Sequence, residues 1–171
     1  MTAHVALLRA VNVGGTGKLP MSDLRRICSE LGLAEPETYI QSGNVVFGSE
    51  LDEPALVAAL GEVLAPLVGP QLRILVRSPD ELEAVLRRNP FPAAPTNRVL
   101  VTFLPEAPAS DEPSTGPDGE RVVVDGREVF VHYPEGLGRS KLRLAGAAEG
   151  TARNLNTIAR LVDLARTHPA A

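Results

Sequence analysis

Residues 5–27 read VALLRAVNVGGTGKLPMSDLRRI, and residues 38–47 read TYIQSGNVVF. Together these stretches decide the fold. Residues 4–11 form a mostly apolar run of strand length, as a buried strand requires. Residues 11–20 carry Gly14, Gly15 and Gly17 and form a loop. Residues 21–33 have helical spacing, with Leu24, Ile27, Cys28 and Leu31 on one face and Gly32 as the stop. Residues 37–41 and 44–47 are short β-rich runs, and Ser42-Gly43 between them has turn chemistry.

A helix over 53–67 and a strand over 71–77 with alternating apolar residues complete a βαββαβ order. That order is the split-βαβ, ferredoxin-like unit. Right-handed crossovers then fix the strand directions. The third strand lies antiparallel between the first two, which run the same way. The glycine-rich loop and the hairpin tip at 41–44 are therefore expected at the same end of the sheet.

The second half is less regular. Ser78-Pro79-Asp80 opens a helix to about residue 88, a capped start. Residues 89–97 (NPFPAAPTN) are a proline-rich connector, and 98–104 a strand. Residues 105–119 have the composition of an exposed, mobile loop, so Asp111, Glu112, Asp118 and the adjoining Glu120 are expected in solvent. Residues 121–124 and 128–133 flank Asp125-Gly126, a hairpin signal. A final helix is expected over 151–166, with Thr151 as its N-cap and Leu155, Ile158, Ala159 and Val162 facing inward; residues 168–171 read as tail. The expected class is α+β: a ferredoxin-like half over 1–78 and a smaller α+β half over 79–171, packed as one globular unit.

With 44% apolar residues in a chain of 171, a real core is available. The net charge of −4 disfavours a nucleic-acid binder, which ordinarily shows a basic stripe. Four Phe, two Tyr and no Trp leave little to stack bases on. The single cysteine, Cys28, excludes an internal disulfide and shares a face with apolar neighbours, so it reads as a small core residue. No secretory leader and no apolar run of membrane length is present, and the chain reads as cytoplasmic, either monomer or homodimer.

Of seventeen basic residues only Lys18 and Lys141 are lysine. A compact ammonium suits a point charge; drift in base composition explains the same count. The loop at 12–18 (NVGGTGK) fails as a P-loop. The required first glycine falls on Asn12, and Leu19 stands where a magnesium-binding hydroxyl belongs. Successive glycines before a helix, with a lysine at the end, still suit an anion, although a plain connection accounts for them as well. Arg9 ends the first strand, where an ion pair or a ligand would satisfy it. Gln41, Ser42 and Asn44 make a polar hairpin tip; turn chemistry accounts for Asn44 but not for Gln41 or Ser42. Ser140-Lys141 follows a turn, and residues 151–157 (TARNLNT) are unusually polar. His4, His132 and His168 lack metal-ligand spacing.

ALLRAVNVGG with PMSDLR downstream, TYIQSGNVVF, NPFP, YPEGLGRSKL and TARNLNT resemble, in order, the blocks of the domain-of-unknown-function 1697 family of bacterial proteins. That family usually has glycine where this chain has Ala10. The resemblance implies a cytoplasmic α+β protein with a ferredoxin-like half, and it supplies no reaction and no cofactor. Its characteristic polar and small positions map to Arg9, Asn12, Gly14, Gly15, Gln41, Ser42, Gly43, Asn44, Ser140, Lys141, Arg153, Asn154 and Thr157.

The function these observations favour is binding of a small anionic or nucleotide-like ligand in a cleft between the halves. Arg9, Asn12, Gly14, Gly15, Lys18, Gln41, Ser42, Asn44, Ser140, Lys141, Arg153 and Asn154 would contribute. The alternative is a protein-interaction or homodimerising module whose polar motifs are structural and hold no ligand.

Overall fold

The computed structural model describes residues 1–11, 18–40 and 43–171. The chain divides into two compact units. Unit 1 comprises Met1–Leu82 with Arg160–Ala171, and unit 2 comprises Glu83–Ala159.

Unit 1 follows the expected βαββαβ order. It runs β1 (Thr2–Arg9), α1 (Met21–Glu30), β2 (Ala34–Tyr39), β3 (Asn44–Ser49), α2 (Glu53–Val68) and β4 (Arg73–Arg77). The sheet order is β2-β3-β1-β4, and every neighbouring pair is antiparallel. α1 ends in a Schellman arrangement. The Leu33 N–H reaches the Cys28 carbonyl, the Gly32 N–H reaches the Ser29 carbonyl, and Gly32 takes φ 79°. α2 starts on Asp52, whose Oδ1 accepts the Ala55 N–H at 3.0 Å. One face of the sheet packs Ala6, Leu8, Val45, Phe47 and Val76 with Leu24, Ile27 and Cys28 of α1 and Leu56, Leu60 and Leu64 of α2. Each such leucine, fully buried, contributes about 1.5–3 kcal/mol. The other face carries Val5, Leu7, Asn44, Val46, Leu75 and Arg77, also buried.

Cys28 is the core residue its helical face suggests. Burial pushes its thiol up to about 12, far from a reactive thiolate.

Unit 2 holds the second sheet, made of β5 (Val99–Phe103), β6 (Arg121–Asp125), β7 (Glu128–His132) and β8 (Thr151–Asn154). Its order is β6-β7-β5-β8, again antiparallel throughout. Asp125-Gly126 makes the expected hairpin. Gly126 alone of the two turn residues has positive φ, at 62°, as a type II′ turn requires. Leu104, Val122, Val129, Val131 and Tyr133 form a buried apolar cluster. Helix α3 (Pro79–Arg87), whose first residues to Leu82 belong to unit 1, begins with a capping box. The Ser78 N–H donates to a Glu81 carboxylate oxygen at 2.8 Å, and the Glu81 N–H donates to Ser78 Oγ at 3.1 Å.

Three expectations need correction. First, residues 151–154 are a strand, and the last helix, α4, is Leu155–Thr167. Four residues that pair Leu100 with Asn154 and Phe103 with Thr151 take strand geometry from β5, not from their own composition. Ala159 is exposed, while Leu161 and Ala165 are buried. Second, 105–119 is tied down. The Val122 N–H reaches the Ser114 carbonyl, the Gly116 N–H reaches the Glu120 carbonyl, and the Glu112 carboxylate accepts the Ala145 and Gly146 N–H groups. Third, His168 is no loose tail. Its Nε2 meets the Glu35 carbonyl at 2.9 Å and its Nδ1 accepts the Ala170 N–H at 3.0 Å, so Nε2 is the donor of the pair.

Candidate functional site

In unit 1 the C-terminal end of β1, the N-terminal ends of β3 and β4 and the C-terminal end of β2 converge. Leu7 is opposite Asn44, Tyr39 is opposite Asn44, and Arg9 is opposite Arg73. The Leu8 N–H donates to the Gly43 carbonyl at 2.8 Å. The end of β1 and the hairpin are therefore neighbours, as the topology argument requires. A Cβ on Gly43 would lie 2.9 Å from Leu8 Cβ, and its φ of 87° is left-handed, so two constraints select glycine there.

Arg9 and Arg73 occupy paired positions on one face of the sheet, and both are half-buried. Arg73 Nη1 donates to the Leu72 carbonyl at 2.9 Å and to the Pro70 carbonyl at 3.1 Å. Sequence inspection singled out Arg9 but missed Arg73; the strand register was the signal, once β4 was placed antiparallel to β1. Lys18 is exposed, in the stretch before α1. Asn44 is fully buried and its Nδ2 donates to the Tyr39 carbonyl at 2.9 Å, joining the two ends of the hairpin. Asn12, Gly14, Gly15, Gln41 and Ser42 lie outside the described residues. Ala10 follows β1 with φ 67°, a left-handed conformation that glycine adopts without strain.

The remaining expected residues lie in unit 2, where protein groups hold three of them. Ser140 Oγ donates to Glu120 Oε1 at 2.6 Å and accepts the Leu142 N–H at 3.2 Å. Glu120, expected in solvent, is 2% exposed, and its other oxygen accepts the Asp118 N–H at 2.8 Å. The Ser140 hydroxyl holds the Glu120 carboxyl below the usual carboxylate range. Lys141 is exposed. Arg153 is buried, with Nη1 donating to Thr151 Oγ1 at 2.7 Å and to the Ala152 carbonyl at 2.9 Å; burial pushes its guanidinium down to about 10. Asn154, not Thr151, caps α4, its Oδ1 accepting the Thr157 N–H at 2.9 Å.

Among the described residues no three His, Cys, Asp or Glu side chains gather as metal ligands. No helix among them is long and apolar enough to cross a membrane.

A family model described as a protein of unknown function, DUF1697, matches residues 1–130. No curated protein matches the chain. Among solved structures, the conserved bacterial protein SP0830 from Streptococcus pneumoniae is similar with a TM-score of 0.73 at 24% identity. The likeness covers 96% of this chain and 98% of that one, and it shows a shared fold.

Proposed function

We propose, for a chain that belongs to the DUF1697 family of proteins of unknown function, that it binds a small anionic or nucleotide-like ligand at the end of the unit 1 sheet. One observation carries this reading: Arg9 stands directly opposite Arg73. Like charges opposed across a strand pair repel. An oxyanion shared by two guanidinium forks turns that repulsion into charge-assisted hydrogen bonding. Lys18 supplies a compact third cation in the stretch joining this sheet end to α1. Asn12, Gly14, Gly15, Gln41 and Ser42 complete the set, offering backbone N–H, amide and hydroxyl groups to orient the ligand. The reading is one of binding: the groups named here hold and orient an anion.

A second reading, an interaction module with structural polar motifs, is favoured in unit 2 by a specific observation. Ser140, Arg153 and Asn154 are all engaged by neighbouring protein groups. The test is a thermal-shift titration with phosphate, sulfate, nucleotides and polyphosphate on wild type, Arg73→Gln, Lys18→Ala and Lys141→Ala. A ligand at about 100 times its Kd stabilises by about 2.7 kcal/mol. The anion reading expects that shift in wild type and Lys141→Ala, a reduced shift in Lys18→Ala and none in Arg73→Gln. A full shift in Arg73→Gln refutes the assignment, and no shift with any ligand leaves the second reading.

A further inference from the structure

We infer that the open half of strand β6 in unit 2 is a docking edge for an extended basic peptide, added as a further strand to that sheet. The Val122 N–H points away from β7, to the Ser114 carbonyl. Along an antiparallel ladder the outward groups recur every second residue. Val124, opposite Val129, therefore also turns its N–H and C=O away from β7, and among the described residues no backbone group outside the strands pairs with them. Ser114 and Thr115 cover β6 only at its start, through Val122 and the Thr115–Arg121 bridge.

Natural sheets protect such edges. In unit 1 the β2 edge has a bulge between Ala34 and Glu37, positive φ at Glu35, and Pro36. The end of β6 has none of these devices. Instead Val123 is 37% exposed and Val124 44% exposed. Beside Val124 runs an open groove of about 540 Å³, lined by Ala107, Pro108, Asp111, Glu112, Ser114 and Gly126 among others. Its size suits a short stretch of extended chain.

Charge selects the occupant. Residues 105–120 carry five acidic residues and no basic one, and Asp111 on the groove wall is exposed. A second copy paired β6 to β6 would bring two such acidic segments together, which costs energy. A basic strand is complementary. Its backbone pairs with the Val124 N–H and C=O, an apolar side chain covers Val124 and Pro108, and a basic side chain reaches Asp111. This is strand addition, with backbone bonds for affinity and side-chain pockets for choice.

The probe is an end-blocked peptide of alternating arginine and valine, titrated into the full chain and followed by amide NMR. Controls are an alternating glutamate and valine peptide and a backbone N-methylated arginine–valine peptide. Saturable binding with shifts centred on Val124 is expected from the basic peptide alone. Val124→Pro removes only an outward N–H, which edge strands tolerate, and should weaken binding about five- to tenfold. Asp111→Lys should weaken it by a similar factor. Amide spectra report that each variant is folded. Equal binding of the acidic or N-methylated peptide, undiminished binding to Val124→Pro, or no binding at about 1 mM peptide would overturn the inference. So would self-association through β6 seen by sedimentation.

Discussion

The sheet β2-β3-β1-β4 guards its β2 edge with a bulge and a proline and sets two arginines side by side at its end. The sheet β6-β7-β5-β8 leaves half an edge strand open and uses its polar residues as staples. Both have four antiparallel strands, and both carry polar residues that the sequence marked as candidates. The difference lies in what those residues touch. In unit 2 Glu120 gathers Ser140 and the Asp118 N–H, Arg153 holds Thr151, and Asn154 caps a helix. In unit 1 Arg9 and Arg73 set like charges in one register position. A buried polar group satisfied by the protein explains its own presence, whereas two like charges in one register position are eased by a shared anion.

The largest effect is expected at the β5–β8 seam. A Cβ on Gly150 would fall 2.1 Å from the Phe103 carbonyl oxygen, a backbone atom that cannot step aside. Gly150→Ala should cost about 3 kcal/mol or more, and hydrogen exchange should show the loss centred on β5 and β8. A mild effect would mean that unit 2 is more yielding than its staples suggest. Next, Asn154→Ala should cost about 1 kcal/mol, with Asn154→Asp retaining most of the stability, as for a helix cap. Chemical denaturation of the two variants checks this. Equal loss in both would remove the cap assignment.

A smaller effect of opposite sign is expected in unit 1. Ala10 sits at φ 67°, where an L-residue is strained by about 1–2 kcal/mol. Glycine relieves that strain but loses more chain entropy on folding, so Ala10→Gly should stabilise by about 0.5–1 kcal/mol in denaturant melts. No gain would show that the strain is not local to Ala10.

The smallest expected effects concern pH. Burial holds the His4 imidazole below its ordinary 6.5, and the Ser140 hydroxyl holds the Glu120 carboxyl below the carboxylate range. Both folded-state values are depressed, so both groups favour the fold at neutral pH and lose that contribution on acidification. The His4 contribution fades as pH falls from about 6.5 through its folded value. That of Glu120 fades later, from the ordinary carboxylate value downward. His4→Gln should flatten the upper window and Glu120→Gln the lower one, read as denaturation midpoints against pH. Unchanged profiles would detach these groups from acid sensitivity.

Much of unit 1 was legible because its signals are local. Apolar runs, the Gly32 stop and the turn chemistry of Ser42-Gly43 imply βαββαβ, and topology alone puts the hairpin beside the end of β1; the Asp52 cap of α2 went unread. Unit 2 was less legible because its decisive partners are distant in sequence. Residues 151–154 read as helix start because Thr151 is a good cap by type, yet pairing with β5 makes them strand. Glu120 read as solvated from loop composition, yet Ser140, twenty residues on, takes it into the interior. Of the candidate site, Arg9 and Lys18 were visible as residue types, while Arg73 emerged only from register.

An NMR titration of inorganic phosphate, followed at the arginine side-chain NεH signals, decides whether the end of the first sheet holds an anion. Saturable shifts are expected at Arg9 and Arg73 and none at Arg153. Shifts confined to other arginines, or none at saturating phosphate, would contradict an anion site at the end of the first sheet.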